Sequence, residues 1–396
     1  MKNIIKKLDS FGRGIIQEEN KIGFIEGALP EEEIIYTKEK EKSKYFEGRV
    51  THIIKESKDR IKSLCPYSPL CGGCTFQEYN YEEENKWKEN NIKELTEKIL
   101  KLDSNIVKNI KYKKEDSYRN KIILHGKDQK LGEYEKNTHN IIDIQKCRIC
   151  NEKINDIINQ LKEYKLIEEC LIRTSNDEKE IIVDITGKDK TYDKLLEYVD
   201  VLIINKKYKT KKHSIETTIG NKKYQLSSNS FFQVNKELTK DLYDIVLEEV
   251  KKEKPNMALD LYCGTGSIGI YVSEECKKII GIDSNPDNIE DAKINIKKNN
   301  INNIELICDK VENKIEKLYQ CDLMIIDPPR AGLDKKTKNI IIQNPPKKII
   351  YVSCDIQTLM RDLKELMNQY IIKEITPLNM FPRTFHVECV CVLELK

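Results

Sequence analysis

Met257-Ala-Leu-Asp-Leu-Tyr262-Cys-Gly264-Thr-Gly266-Ser-Ile-Gly269 decides the fold. A mostly apolar run leads at once into three glycines spaced G-x-G-x-x-G, and a second apolar run follows. The pattern is that of a buried strand turning sharply into a helix. Glycine lets the backbone approach a nucleotide closely, and the start of the helix offers free amides. Asp283 lies nineteen positions after Gly264, at the end of the next apolar run, KIIGID. An acidic side chain there can bind ribose hydroxyls, as both dinucleotide and S-adenosylmethionine sites require.

Outward from this turn, strand and helix patterns alternate. A helical segment with Leu238, Leu242, Ile245 and Val246 precedes it; KIIGID, IELIC, LMIID and KIIYVS follow, each with a helix behind it. HVECVCVLEL closes the chain as a last strand. Such alternation predicts a doubly wound α/β domain with a largely parallel sheet, over residues 231–396. Asp283, Asp309, Asp327 and Cys354 each follow a strand, where sheets of this kind bind ligands. Asp327-Pro-Pro-Arg330 keeps the chain from turning straight into a helix.

The earlier residues read differently. Five short strands are expected within residues 1–56, enough for a small β-barrel, with Glu31 to Lys44 as a solvated loop. Residues 57–230 read as a central α+β domain. It holds a helix from about Glu84 to Leu102, expected to pack on the C-terminal domain. Hairpin-like strands follow, around a second helix marked by Ile154, Ile157, Ile158 and Leu161.

Composition narrows the function. Lys plus Arg is 69 and Asp plus Glu 66, a net charge of +3 that excludes a polycation or a long charged tail. No apolar run approaches the ~18 residues of a membrane span, and the start lacks the pattern of a secretion signal. Thirteen scattered cysteines do not suit a secreted disulfide scaffold, so a reducing cytoplasm is expected.

Two residues suit covalent chemistry. Cys354 sits between a strand end and a helix start, which favours a thiolate nucleophile over simple core packing. Glu388 enters an otherwise apolar strand; burial would raise its pKa and suit it to proton transfer, whereas exposure at the strand's start would make it ordinary. His386 by itself reads as a structural hydrogen-bonding residue. Cys65-x5-Cys71-x2-Cys74, with Cys147 and Cys150 later, is dense enough to imply a metal site. Cys71, Cys74, Cys147 and Cys150 have the paired form of a zinc site; Cys65, Cys71, Cys74 and a later cysteine have that of an iron–sulfur site.

Taken in order, GALPEEE, CPYSPLCGGCTFQ, SYRNKI, SSNSFFQVN, DLYCGTG, DPPRAGLD, YVSCDIQTLMRDL and FPRTFHVE resemble the RNA uracil-5-methyltransferases over nearly the whole length. The branch they are similar to carries a TRAM domain and an iron–sulfur cluster and methylates 23S ribosomal RNA. The resemblance implies a TRAM, OB-like barrel that binds RNA and a Rossmann-like S-adenosylmethionine-dependent methyltransferase domain. It implies a [4Fe–4S] cluster on Cys65, Cys71, Cys74 and Cys147, with Cys150 a bystander. S-adenosyl-L-methionine would be held by Gln233, Tyr262, Gly264, Gly266, Asp283, Asp309 and Asp327, with Ser267 nearby. Cys354 would be the nucleophile and Glu388 the general base; Phe231, Asn235, Arg119 and Arg330 would contact substrate or support the site. A cytoplasmic monomer that makes 5-methyluridine is expected.

Departures from the family pattern put substrate affinity in question. Asp283 stands where Glu is common, and Asp355-Ile356 follow the cysteine where Asn and Pro are usual. Asn379 and Arg383 replace the usual Asp and Gln or His. Asp355 would raise the Cys354 thiol unless it caps the next helix. Two rivals are a tRNA uracil-5-methyltransferase, whose relatives are expected to lack the TRAM and cluster segments, and an NAD-dependent iron–sulfur oxidoreductase, which has no use for Cys354 and Glu388. Three windows are basic despite the near-neutral total: 101–130 at +5, 206–223 at +6 and 330–364 at +5. They are expected to contact phosphates.

Overall fold

The strand Met257–Leu261 (β1) lies in the interior of a seven-stranded sheet, third from one edge. It is followed in the chain by Lys278–Asp283 (β2), Ile304–Cys308 (β3), Leu323–Ile326 (β4), Lys348–Ser353 (β5), Tyr370–Leu378 (β6) and Glu388–Leu395 (β7). The spatial order is β3-β2-β1-β4-β5-β7-β6, with β1 to β5 parallel and β7 antiparallel to both neighbours. The computed structural model describes every residue except 19, 190, 318 and 319.

The alternation of side chains across each strand builds two cores. Leu259, Leu261, Ile349 and Tyr351 face one layer, whereas Ala258, Ile325, Ile350 and Val352 face the other. Both faces are therefore apolar, and each fully buried side chain of this size contributes about 1.5–3 kcal/mol. The strand order reverses between β1 and β4, so a crevice opens at their carboxyl ends. The doubly wound α/β reading holds, but one strand escaped it. Tyr370–Leu378 lies at the sheet edge and contains Lys373, Glu374 and Pro377, residues that disguise a strand and are tolerated at an edge.

In the first 55 residues six strands form a sheet in which Lys2–Ile4 and Lys7–Leu8 occupy the two ends. These two are consecutive stretches of one bent segment. The first pairs with Glu33–Glu41 and the second with Gly14–Glu18, which closes the sheet around Ile5, Ile16, Ile25, Ile34, Tyr36 and Phe46. Glu31 to Lys44 is not simply a loop: Glu33–Glu41 pairs along Tyr45–Lys55. Ile34 and Tyr36 face the barrel core, as in one of the five strands expected, and only the outer part to Glu41, rich in Lys and Glu, was hidden by composition.

The helix Tyr81–Leu95 begins three residues earlier than expected because Asn80 caps it, its side chain accepting from the amides of Glu82 at 3.0 Å and Glu83 at 3.3 Å. A single π turn, Thr96–Leu100, continues it. Ile92 and Leu100 lie in the same core as Leu259 and Tyr351, so this helix packs on the seven-stranded C-terminal sheet. A second seven-stranded sheet, between residues 121 and 208, is covered by the helix Glu152–Leu161. The hairpin Ile215–Ile219 with Lys222–Leu226 shares a core with Leu238 and Ile270 of the C-terminal unit. Among the described residues no helix is long and apolar enough to cross a membrane.

Candidate active site and cysteine centre

The glycine turn leaves β1 with Tyr262, Gly264 and Gly266 in left-handed backbone conformations (φ of 61°, 54° and 72°). Gly266 starts the helix Ser267–Val272. Gly269 is required for a different reason: a Cβ there would lie 2.8 Å from Asp260 Oδ2, which accepts a 3.0 Å hydrogen bond from the Gly269 amide. Burial, with Asp327 and Asp283 nearby, pushes the Asp260 carboxyl up to about 7, and its Oδ1 has no partner. Asp260 belongs to the quoted stretch, yet only the fold reveals it as a buried charge under the turn.

The expected cofactor residues gather along one edge of the sheet. Asp283 ends β2; its Oδ2 accepts from the Gly264 amide at 3.0 Å and its Oδ1 from the Asn285 amide at 2.8 Å and Asn288 Nδ2 at 3.2 Å. A carboxylate has room for about four hydrogen bonds, so one further donor such as a ribose hydroxyl can be served. Asp309, just past β3, accepts from the Lys310 amide and Asn313 Nδ2, and the Asn313 bond, followed by Lys314, holds it below the usual range. Ser267 Oγ accepts from Tyr243 Oη at 2.7 Å. Gln233 is buried, and its carbonyl accepts from Asn120 Nδ2. The exposed ring of Phe231 lies beside Gly264. Asn235 is fully buried and caps a turn through the amides of Glu237 and Leu238, which makes it a structural residue.

Cys354 follows β5 and is half-buried; Glu388, the first residue of β7, is only 2% exposed. Burial, then Glu388 and Asp327, push the Cys354 thiol up to about 12, with exposed Arg330 pulling the other way. Asp355 is not among these influences. Its side chain caps the helix Ile356–Leu366, accepting from the amides of Gln357 at 3.0 Å and Thr358 at 2.9 Å. Burial raises Asp327 to about 7, and burial, then Asp327, raises Glu388 well above the ordinary carboxylate range. The Glu388 Oε1 is buried with no hydrogen-bond partner. A small recess beside Cys354 is lined by Phe385, His386 and Val387, and by Ser10 and Phe11 from the N-terminal barrel. His386 therefore sits at the thiol, kept neutral by burial, which lowers it to about 4. The barrel residues carry no signal in the sequence, since only tertiary packing brings them here.

The second site is ringed by cysteines. Cys65, Cys71, Cys74 and Cys147 line one cavity with Gln77 and Arg119. Gln77 Nε2 donates to Cys74 Sγ at 3.3 Å and the Gly73 amide to Cys71 Sγ at 3.4 Å. Burial pushes Cys71 up to about 11; a hydrogen bond with Cys150 brings Cys147 down to about 7. Cys150 is fully buried behind Cys147 and does not line the cavity. Arg119 belongs to this site rather than to the strand ends. Among the described residues no three His, Cys, Asp or Glu side chains converge tightly enough to hold one metal ion. The four thiols lining one cavity are the donor type that an iron–sulfur cluster takes.

The family model for tRNA (uracil-5-)-methyltransferase matches residues 199–396. An uncharacterized RNA methyltransferase of Aquifex aeolicus is 32% identical, covering 100% of this chain and 99% of its own. The chain belongs to the RNA uracil-5-methyltransferase family. It is an S-adenosylmethionine-dependent methyltransferase acting on RNA. A Clostridium acetobutylicum relative of the same description is also 32% identical, over 98% of this chain and 96% of its own. Among solved structures, the Pyrococcus abyssi tRNA (uracil-54, C5)-methyltransferase in complex with S-adenosyl-L-homocysteine superposes with a TM-score of 0.80 at 27% identity, covering 99% of both chains. That match spans the barrel and the cysteine loop. The expectation that tRNA enzymes lack those segments therefore fails for this neighbour, and their presence does not separate a ribosomal from a transfer RNA target.

Proposed function

We propose that this methyltransferase converts a uridine of 23S ribosomal RNA to 5-methyluridine, with Cys354 as nucleophile and Glu388 as general base. The observation that carries the mechanism is the buried, partnerless Glu388 carboxyl electrostatically linked to the Cys354 thiol at the ends of adjacent strands. Uracil C5 is a poor nucleophile. Once the thiol has released its proton to solvent, bonding of the Cys354 thiolate to C6 moves the C5–C6 electron pair into the ring as an enolate and makes C5 reactive. When bound, S-adenosylmethionine supplies the electrophilic methyl group. Gln233, Tyr262, Gly264, Gly266, Asp283, Asp309 and Asp327 would hold it, with Ser267 at the helix start. Glu388 then takes the proton from C5, the C6–S bond breaks, and the thiolate is restored. Desolvation makes Glu388 a stronger base than an exposed carboxylate once it is ionised. A uridine inside a duplex cannot enter so closed a recess, so the target is a loop or flipped-out nucleotide.

In this reading residues 1–56 form a TRAM-like RNA-binding barrel, 57–230 the central domain and 231–396 the catalytic domain. Ser10 and Phe11 at the recess support a role for the barrel in presenting RNA. Lys206, Lys207, Lys209 and Lys211 are exposed and offer phosphate contacts. Lys338 and Lys348 do not: both are buried and paired with carboxylates, so the charge of a sequence window overstates the charge of the surface. Cys65, Cys71, Cys74 and Cys147 would carry a [4Fe–4S] cluster with a structural or positioning role, since no step moves an electron. Protein purified without oxygen should show broad visible absorption with iron and sulfide; stoichiometric zinc without that absorption would contradict the cluster.

A second reading, a transfer RNA target, is favoured by the full-length likeness to the Pyrococcus abyssi enzyme. Incubation with labelled methyl donor and separate 23S and transfer RNA transcripts tests the choice. Label confined to 5-methyluridine in the ribosomal transcript supports the first reading; label confined to transfer RNA overturns it.

A further inference from the structure

Arg383, one of the departures from the family pattern, is 1% exposed and has left-handed backbone, with φ of 69°. Such a conformation is strained for a non-glycine residue and persists only where its surroundings impose it. Those surroundings come from the cysteine loop and the helix behind it. The amides of Thr75 and Phe76, directly after Cys74, both donate to the Arg383 carbonyl, at 2.8 and 2.9 Å. The Arg383 guanidinium returns bonds to the carbonyls of Phe76 at 2.9 Å and Tyr79 at 2.5 Å, and pairs with Glu115. Its amide donates to Glu84 Oε1 at 3.0 Å.

Neighbours reinforce the connection. Fully buried Lys88 donates to Asn379 Oδ1 at 2.7 Å, Asn379 donates to Asn85 Oδ1 at 2.8 Å, and Tyr118 Oη donates to the Pro382 carbonyl at 3.0 Å. These bonds join the helix Tyr81–Leu95, the cysteine loop with the residues that lead from it to the helix, Glu115 and Tyr118 to residues 379–383. Five residues past Arg383 lies Glu388, and the intervening Phe385, His386 and Val387 line the recess at Cys354.

We propose that Arg383 is a positioning residue that fastens the cysteine loop to the segment carrying Glu388, so that order at the cysteine centre sets the aim of the base. This rests on the reading of Glu388 as the base. Tyr262, Gly264, Gly266, Asp283, Asp309 and Asp327 lie at the ends of β1 to β4, away from the fastening; of the cofactor residues Gln233 is near it, through Asn120, and Cys354 follows β5. Loss of the fastening should therefore slow proton removal from C5 while sparing cofactor binding and the C6–S bond.

The test uses the full-length holoprotein as Arg383→Gln, with Glu388→Gln alongside. Arg383→Gln should bind S-adenosylhomocysteine like the parent and form the covalent RNA adduct at the parent rate. It should release that adduct about 10–100-fold more slowly, the usual cost of misplacing a reacting group by an ångström. A denaturation-resistant protein–RNA band accumulates as a result, which a merely unfolded variant would not show. Parental release kinetics, or lost adduct formation with cofactor binding intact, would overturn the proposal. If Arg383→Gln does not fold, Glu115→Gln carries the test with a smaller slowing in the same direction, and parental release there overturns it. Should Glu388→Gln itself accumulate no adduct, the base assignment fails and the proposal with it; accumulation in Glu388→Gln alone rejects only the fastening.

Discussion

The resting Cys354 thiol should resist alkylation, and by an amount the structure sets. Burial, Glu388 and Asp327 move it from an ordinary 9.0 to about 12. At pH 7.5 that lowers the thiolate fraction about 10³-fold, from roughly 3% to roughly 0.003%. A more basic thiolate is a better nucleophile, with a Brønsted slope of ~0.4–0.5, which returns about 20–30-fold over three pH units. The net expectation is alkylation by iodoacetamide about 30–50-fold slower than at an ordinary exposed thiol. Cys308 is exposed and serves as the internal comparator, read from the same digest by mass spectrometry. The Cys354 rate should also climb tenfold per pH unit through at least pH 10. An alkylation rate matching that of Cys308, or a plateau below pH 9, would refute the account. The chemical consequence is that the thiol is held in reserve, protonated, until substrate fills the recess.

Other outcomes follow from buried charge. Asp260 is raised to about 7, so the fold retains a proton that the unfolded chain releases at about 4. Stability from this group is complete below about pH 4 and falls by about 1.4 kcal/mol per pH unit up to about pH 7; Asp260→Asn should abolish that slope in urea titrations, and an unchanged slope would contradict it. Lys88 and Glu84 are 2.8 Å apart and fully buried, so Lys88→Met strands a carboxylate and should cost about 3–5 kcal/mol. Denaturation at the parental midpoint would show the pair to be dispensable. Gly269→Ala drives a Cβ to 2.8 Å from Asp260 Oδ2 and should cost about 1–3 kcal/mol and weaken S-adenosylhomocysteine binding, as calorimetry can show.

What could be read without coordinates was the chemistry fixed by local order. The glycine turn, Asp283 and Cys354 each follow a strand directly, so the strand pattern alone places them on one edge of a sheet. The remainder depended on contacts across the chain. Asn379 and Arg383 put substrate affinity in question until the fold supplied Lys88, Asn85 and Glu115, some 270 to 300 positions away, as their partners. Ser10 and Phe11 reach the Cys354 recess only because the barrel packs there. The edge strand Tyr370–Leu378 and the outer half of Glu33–Glu41 were masked by polar residues such as Lys373, Glu374, Glu39 and Lys40. His386 read as a structural hydrogen-bonding residue because nothing in its neighbours in sequence indicates that it lines the same recess as Cys354.

The central claim is that one cysteine attacks the uracil ring and one glutamate releases it. The most direct measurement is mass spectrometry of Glu388→Gln after incubation with methyl donor and substrate RNA, followed by nuclease and protease digestion. The account predicts a peptide carrying a methylated uridine bonded to Cys354. An unmodified Cys354 peptide with free 5-methyluridine in the RNA, or an adduct on any other residue, would contradict it.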